Sequence, residues 1–277
     1  MNRQQLFDNI KKKKSFLCIG LDSDIQKLPQ HLLSCDDPVF EFNKQIIDKT
    51  HHLAVAYKPN TAFYEANGVA GWISLEKTAA YIKKNYPNVL LIADAKRGDI
   101  GNTSAMYAKT FFETMHFDAI TLSPYMGQDT VAPFMQYTDK WSIVLALTSN
   151  KTANEFQYLK DATTGKLLFE NILKTAQSWG TTDQLMFVVG ATKSESLKEV
   201  RSLAPDHFLL VPGIGAQGGS LKEVAKNAMN DHCGLLVNSS RGIIFASQNS
   251  DFAEVAQAEA EKVQSEMALY LQEAQLI

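Results

Sequence analysis

Eight short apolar runs, each followed by a segment of helical periodicity, constrain the fold of this 277-residue chain more than any other feature. The runs cover residues 16–21, 53–57, 89–93, 119–122, 143–147, 185–189, 208–211 and 235–237. Their apolarity is continuous rather than alternating, which predicts strands buried on both faces, as in a parallel sheet. Between them, helices are predicted over 39–50, 72–85, 103–115, 129–137, 167–179, 194–203 and 220–230. After the eighth run, Phe252, Val255, Ala256, Ala260, Val263, Met267 and Leu271 keep i, i+3, i+4 spacing, the pattern of a terminal amphipathic helix. Eight βα units are the count that closes a (β/α)8 TIM barrel, and no Gly/Ser/Pro linker divides the chain. The expected architecture is a single α/β barrel domain over 1–277 with a C-terminal amphipathic helix.

Charge and cysteine usage narrow the function classes. With 27 Lys and Arg against 30 Asp and Glu the net charge is −3, which excludes a basic nucleic-acid footprint. Cys18, Cys35 and Cys233 form an odd set without CxxC spacing, so neither a disulfide framework nor a zinc ribbon is supported. No apolar run approaches the length that crosses a bilayer, and the N-terminus lacks the apolar core of an export signal. A cytoplasmic protein is expected. The Lys11 to Lys14 run is read as a solvated helix end.

Polar residues close nearly every run: Asp22, Lys58, Asp94 with Lys96, Ser123, Thr148 with Ser149, Thr192, Gly213 with Gly215, and Asn238 with Ser239. In an α/β barrel these ends converge on one mouth, where catalytic groups stand on a rigid scaffold. Strand ends are polar wherever they leave a core, which accounts for Ser and Thr but poorly for paired Lys and Asp. The densest cluster is Asp94-Ala95-Lys96-Arg97-Gly98-Asp99. Period-two alternation puts Asp94 and Lys96 on one side of the third strand. Charges at such a mouth cost desolvation unless they pair, so an alternating network of Asp94, Lys96 and Asp99 is expected, with Asp22 and Lys58 as further members. A Schiff-base lysine needs an apolar pocket or a second cation. Lys96 has carboxylates instead, which favour an ammonium that stabilises a developing negative charge and then protonates it.

Pro212-Gly213-Ile214-Gly215-Ala216-Gln217-Gly218-Gly219 contains GxGxxG, but it follows the seventh run, and the next strand ends in Asn238 rather than an acid. A dinucleotide fingerprint needs the first strand and that acid. A phosphate cradle fits better, because barrel enzymes commonly bind phosphate through the loops after strands 7 and 8. The eighth strand supplies Ser239-Ser240-Arg241-Gly242, with Arg241 as a charge-assisted fork. The six histidines show no HxH or HxxxH spacing, and Ser123 lies in no GxSxG elbow, so metal and hydrolase-triad chemistry lack support.

The string from Asp94 through Lys96 and Asp99 to Thr103 resembles the DxKxxD signature of the orotidine 5'-phosphate decarboxylase family. The resemblance extends along the chain through Leu21-Asp22, Tyr57-Lys58-Pro59-Asn60, Ser123-Pro124, the Pro212 to Gly219 loop and Ser240-Arg241-Gly242-Ile243, and the length is similar to the longer bacterial branch. It implies a barrel enzyme that decarboxylates orotidine 5'-phosphate to uridine 5'-phosphate, the last step of de novo UMP synthesis, with no metal and no organic cofactor. Lys96 would donate the proton to C6, Asp94 would face the substrate carboxylate, and Lys58 with Asp22 would touch the ribose. Asp99 and Thr103 would reach a neighbouring subunit's site in a homodimer. Ser123 and Gln217 would meet the pyrimidine, and Gln217, Arg241 and the Gly215 and Ser240 backbones the phosphate. Three alternatives share the barrel: a magnesium-dependent keto-sugar phosphate decarboxylase, a phosphosugar isomerase or Schiff-base aldolase, and a non-catalytic nucleotide-binding barrel.

Overall fold

The computed structural model describes residues 1–190, 194–213 and 219–277. Eight parallel strands, β1 (Leu17–Gly20), β2 (Ala56–Lys58), β3 (Leu90–Arg97), β4 (Ala119–Leu122), β5 (Trp141–Leu147), β6 (Leu185–Val189), β7 (Phe208–Pro212) and β8 (Leu235–Ser239), close a barrel in chain order. β8 returns to β1 through the register Cys18↔Asn238 and Ile19↔Ser239. Strands β1, β4 and β6 are buried at every position, as continuous apolarity requires when one face fills the barrel and the other meets helices.

The outer ring is built from α2 (Pro38–Thr50), α4 (Gly68–Asn85), α5 (Gly101–Lys109), α6 (Gln128–Met135), α7 (Leu168–Ala176), α8 (Ser194–Leu203) and α9 (Leu221–Ala228). Shorter helices α3 (Thr61–Glu65) and α10 (Arg241–Ile244) follow β2 and β8 directly. The terminal amphipathic helix is α11 (Phe252–Glu273), whose Phe252, Ala256, Ala260, Met267 and Leu271 are buried. Phe42 of α2 stacks on Phe252, with ring centroids 5.1 Å apart. The predicted helix over 103–115 is α5 followed by one wider turn at Thr110–Thr114, which tucks Phe111 and Phe112 into the core.

Besides the short α3 and α10, the N-terminal helix has no counterpart in the apolar pattern. α1 (Arg3–Lys13) lies across the N-terminal ends of the strands, where Leu6 and Ile10 are buried and Trp141 Nε1 donates to the Met1 carbonyl at 2.7 Å. Its start carries a reciprocal cap between Asn2 and Gln5. The Lys11 to Lys14 run is not wholly solvated: Lys13 Nζ donates to the carbonyls of His51 at 2.7 Å and Ala54 at 2.6 Å. Burial pushes that amine down to about 8. His207 is buried, 5% exposed, with neither ring nitrogen hydrogen-bonded among the described residues. Among the described residues, no helix is long and apolar enough to cross a membrane.

Candidate active site

The C-terminal ends of the strands surround a cavity of about 470 Å3, lined by Asp22, Lys58, Asp94, Lys96, Thr121, Asn238, Ser240 and Arg241 among others. Its size falls in the range of small-molecule sites. The centre is a carboxylate shared by two ammonium groups. Lys58 Nζ lies 2.9 Å from Asp94 Oδ2, and Lys96 Nζ lies 2.6 Å from Asp94 Oδ1. The side chains of Lys58 and Asp94 are 5% and 11% exposed, whereas that of Lys96 is 50% exposed, which makes Lys96 the most accessible of the three.

Burial by itself would raise Asp94, but the adjacent Lys58 and Lys96 outweigh it and hold the carboxyl far below the usual carboxylate range. Burial would likewise strip the proton from Lys58, yet Asp94 and then Asp22 reverse that and hold the ammonium above its ordinary value. The centre is therefore two ammonium groups on one carboxylate, with a second carboxylate, Asp22, near Lys58. Asp22 Oδ1 is buried and has no hydrogen-bond partner among the described residues. Cys18, near this centre, has its thiol pushed up to about 12 by burial and donates it to Asn238 Oδ1 at 3.6 Å.

The backbone positions these groups. β3 runs four residues beyond the predicted strand, through Arg97, and its pairing with β4 shifts register between Ala93↔Ile120 and Arg97↔Leu122. Asp94 N donates to the Pro59 carbonyl at 3.0 Å, tying β3 to the segment after Lys58. Lys96 adopts a left-handed backbone with φ of 45°. Arg97 points the other way and pairs with Glu65.

On the opposite wall, Ser240 Oγ donates to the Gly20 carbonyl at 3.1 Å. A Cβ at Gly20 would stand 2.7 Å from Ser240 Cβ, so only glycine lets β1 approach the β8 turn this closely. Arg241, at the first turn of α10, is exposed on the cavity wall without an ion pair among the described residues.

The remaining expected residues are placed differently. Asp99 does not join the Lys–Asp centre of its own chain: its carboxylate accepts from Ile100 N at 2.7 Å, outside the cavity lining. Thr103 is exposed on the first turn of α5. Ser123 is also outside the cavity lining, with its N–H on the Arg97 carbonyl at 2.8 Å. Thr192, Gly215 and Gln217 lie outside the described residues. Cavity residues that had no assigned role include Lys27, Phe63, Thr121, Asn150 and Phe245. A lysine in a polar loop and a threonine inside an apolar run carry no local signature, although Asn150 adjoins the flagged Thr148 and Ser149.

The comparisons decide the family. A family model described as orotidine 5'-phosphate decarboxylase / HUMPS family matches residues 15–256. The chain belongs to this family. It is 60% identical over 267 residues to an orotidine 5'-phosphate decarboxylase of Phocaeicola vulgatus, covering 96% of this chain and 98% of the relative. A protein of the same name from Parabacteroides distasonis is 59% identical over 277 residues, covering 100% and 99%. Among solved structures, the OMP decarboxylase of Leishmania donovani superposes with a TM-score of 0.79 at 36% identity, covering 96% of this chain and 100% of that one. The UMP synthase of the same organism superposes with a TM-score of 0.81 at 37% identity, covering 94% of this chain but 56% of that longer one.

Proposed function

We infer that the chain decarboxylates orotidine 5'-phosphate to uridine 5'-phosphate, the last step of de novo UMP synthesis, and that Lys96 carries the chemistry. The observation behind this reading is the carboxylate of Asp94 held between buried Lys58 and exposed Lys96 at the floor of the cavity. In the reaction the C6–carboxylate bond breaks, carbon dioxide leaves, and the electron pair stays on C6 in the ring plane, where no conjugated system receives it. A fixed ammonium beside C6 stabilises that charge and then transfers a proton from Nζ to C6. Because Asp94 and Lys58 are already paired and buried, little reorganisation accompanies this step. No metal or organic cofactor is needed for it.

The substrate roles follow the same layout. Asp94 faces the departing carboxylate, while Lys58 and Asp22 meet the ribose hydroxyls; the unpartnered Asp22 Oδ1 supports that role. Arg241, with the backbones of Ser240 and Gly215, holds the phosphate. Gln217 spans phosphate and pyrimidine, and Ser123 meets the pyrimidine edge. Asp99 and Thr103 complete the site of a second copy in a homodimer. Their position outside their own cavity, beside exposed Ile100 and Met106, supports this assignment. The protein acts in the cytoplasm as one barrel domain.

The experiment is ultraviolet absorbance of orotidine 5'-phosphate with purified protein and excess EDTA. Conversion to uridine 5'-phosphate supports the reading. Failure there, with turnover of a keto-sugar phosphate on adding magnesium, would replace the substrate and the mechanism while leaving the barrel intact.

A further inference from the structure

Between the pairs Ala93↔Ile120 and Arg97↔Leu122, three residues of β3 stand opposite a single residue of β4, Thr121. Extra residues in one strand of a pair leave ladder groups unpaired and re-aim side chains, and such bulges concentrate next to active sites. Here the re-aimed side chain is Lys96, whose backbone is left-handed at φ of 45°. That conformation is strained for a residue with a Cβ and persists only where its surroundings impose it.

We propose that Thr121 is a positioning residue for Lys96: one buried hydroxyl, opposite the bulge, fixes both the backbone and the carboxylate that aim the ammonium. The inference rests on the decarboxylase reading above for its kinetic consequence. Lys96 N donates to Thr121 Oγ1 at 2.9 Å. Thr121 Oγ1 in turn donates to Asp94 Oδ1 at 3.1 Å, the same oxygen that receives Lys96 Nζ at 2.6 Å. The hydroxyl has one proton and two lone pairs, so it satisfies both bonds at once. The result is a closed loop from the Lys96 amide through Thr121 and Asp94 back to the Lys96 ammonium. Thr121 is 1% exposed in a strand otherwise made of Ala119, Ile120 and Leu122, where valine would fill the same volume. Its hydroxyl is therefore explained by the bulge and not by packing.

The test compares Thr121→Val, which keeps the shape, with Thr121→Ser, which keeps the hydroxyl. Melting temperature, kcat, KM and the affinity for uridine 5'-phosphate are measured for each. The expected result is that Thr121→Val lowers kcat roughly 10- to 100-fold, equivalent to about 1.4 to 2.7 kcal/mol. Its KM and product affinity should stay within about threefold, while Thr121→Ser stays near wild type, because only groups that aim Lys96 at the transition state are lost. Should the valine protein not fold, Thr121→Ala carries the same expectations. A valine variant with wild-type kcat, or equal losses in the serine variant or in product affinity, overturns the proposal. A crystal structure of Thr121→Val separates this inference from the decarboxylase reading, since it needs no turnover. Lys96 leaving its left-handed conformation or its contact with Asp94 supports the positioning role, and an unchanged Lys96 overturns it whatever the wild-type enzyme acts on.

Discussion

Lys58 Nζ and Asp94 Oδ2 form a 2.9 Å ion pair with both side chains almost wholly removed from solvent. A pair in that position is worth little compared with an apolar pair, but removing one partner leaves an uncompensated buried charge.

Asp94→Leu is therefore expected to destabilise the fold by about 3 to 5 kcal/mol in urea denaturation, and the double variant Lys58→Met/Asp94→Leu to recover much of that loss. Equal stabilities for the single and double variants would show that the pair is not electrostatically coupled.

Arg241 stands on the cavity wall without an ion pair among the described residues and is assigned to the substrate phosphate. Hydrogen bonds to charged groups contribute about 1.5 to 3 kcal/mol. Arg241→Ala should raise KM for orotidine 5'-phosphate roughly 10- to 100-fold. The same variant should leave kcat/KM for orotidine, which lacks the phosphate, nearly unchanged. A similar loss on both substrates would remove Arg241 from the phosphate site.

Asp99 and Thr103 sit at the start of α5, away from the cavity of their own chain. If they complete a partner's site, Lys96→Ala and Asp99→Ala proteins are each inactive, yet mixed dimers contain one intact site. Random reassortment should restore about a quarter of wild-type activity, as two-fold symmetry requires. Mixing with no gain, under conditions where subunits demonstrably exchange, would place Asp99 in its own chain's chemistry or outside the site.

The barrel was legible because strands buried on both faces must be apolar throughout, and all eight runs supply strand residues, the second only Ala56 and Tyr57. What escaped was set by tertiary contacts. β3 extends through Asp94, Ala95, Lys96 and Arg97 because the bulge and the Lys58 ion pair hold a polar strand end in place. α1 has only Leu6 and Ile10 as buried residues, too few to register as a periodic face, and its capping pair Asn2–Gln5 was the available sign. The centre formed by Asp94, Lys58 and Lys96 followed from paired charges at strand ends. Asp99 was expected in that network, but the chain turns after Gly98 and carries its carboxylate to the Ile100 amide instead. Thr121 could not be singled out, since a threonine in an apolar run reveals its role only through a partner strand.

His207 contributes a separate pH dependence. Burial pushes its imidazole down to about 4, with Asp206 opposing and Arg201 and Arg3 adding to the fall, and its ring packs 5.3 Å from that of Phe187. The unfolded histidine titrates near 6.5, so between roughly pH 6.5 and 4 the unfolded chain binds more protons than the folded one. Stability is then full above that window and falls as pH drops through it, by at most about 3 kcal/mol at 1.36 kcal/mol per unit. His207→Phe should remove this part of the fall in denaturation measured from pH 7 to 4. An identical pH profile in the variant would show that His207 is not its source.

The most direct measurement is turnover of orotidine 5'-phosphate by wild type and by Lys96→Ala in excess EDTA, with circular dichroism confirming that both are folded. The expected result is rapid conversion by wild type and loss of at least about a thousandfold in the variant, because stabilisation of the carbanion and its proton donor vanish together. A folded Lys96→Ala protein that retains more than a small fraction of wild-type turnover would contradict the account.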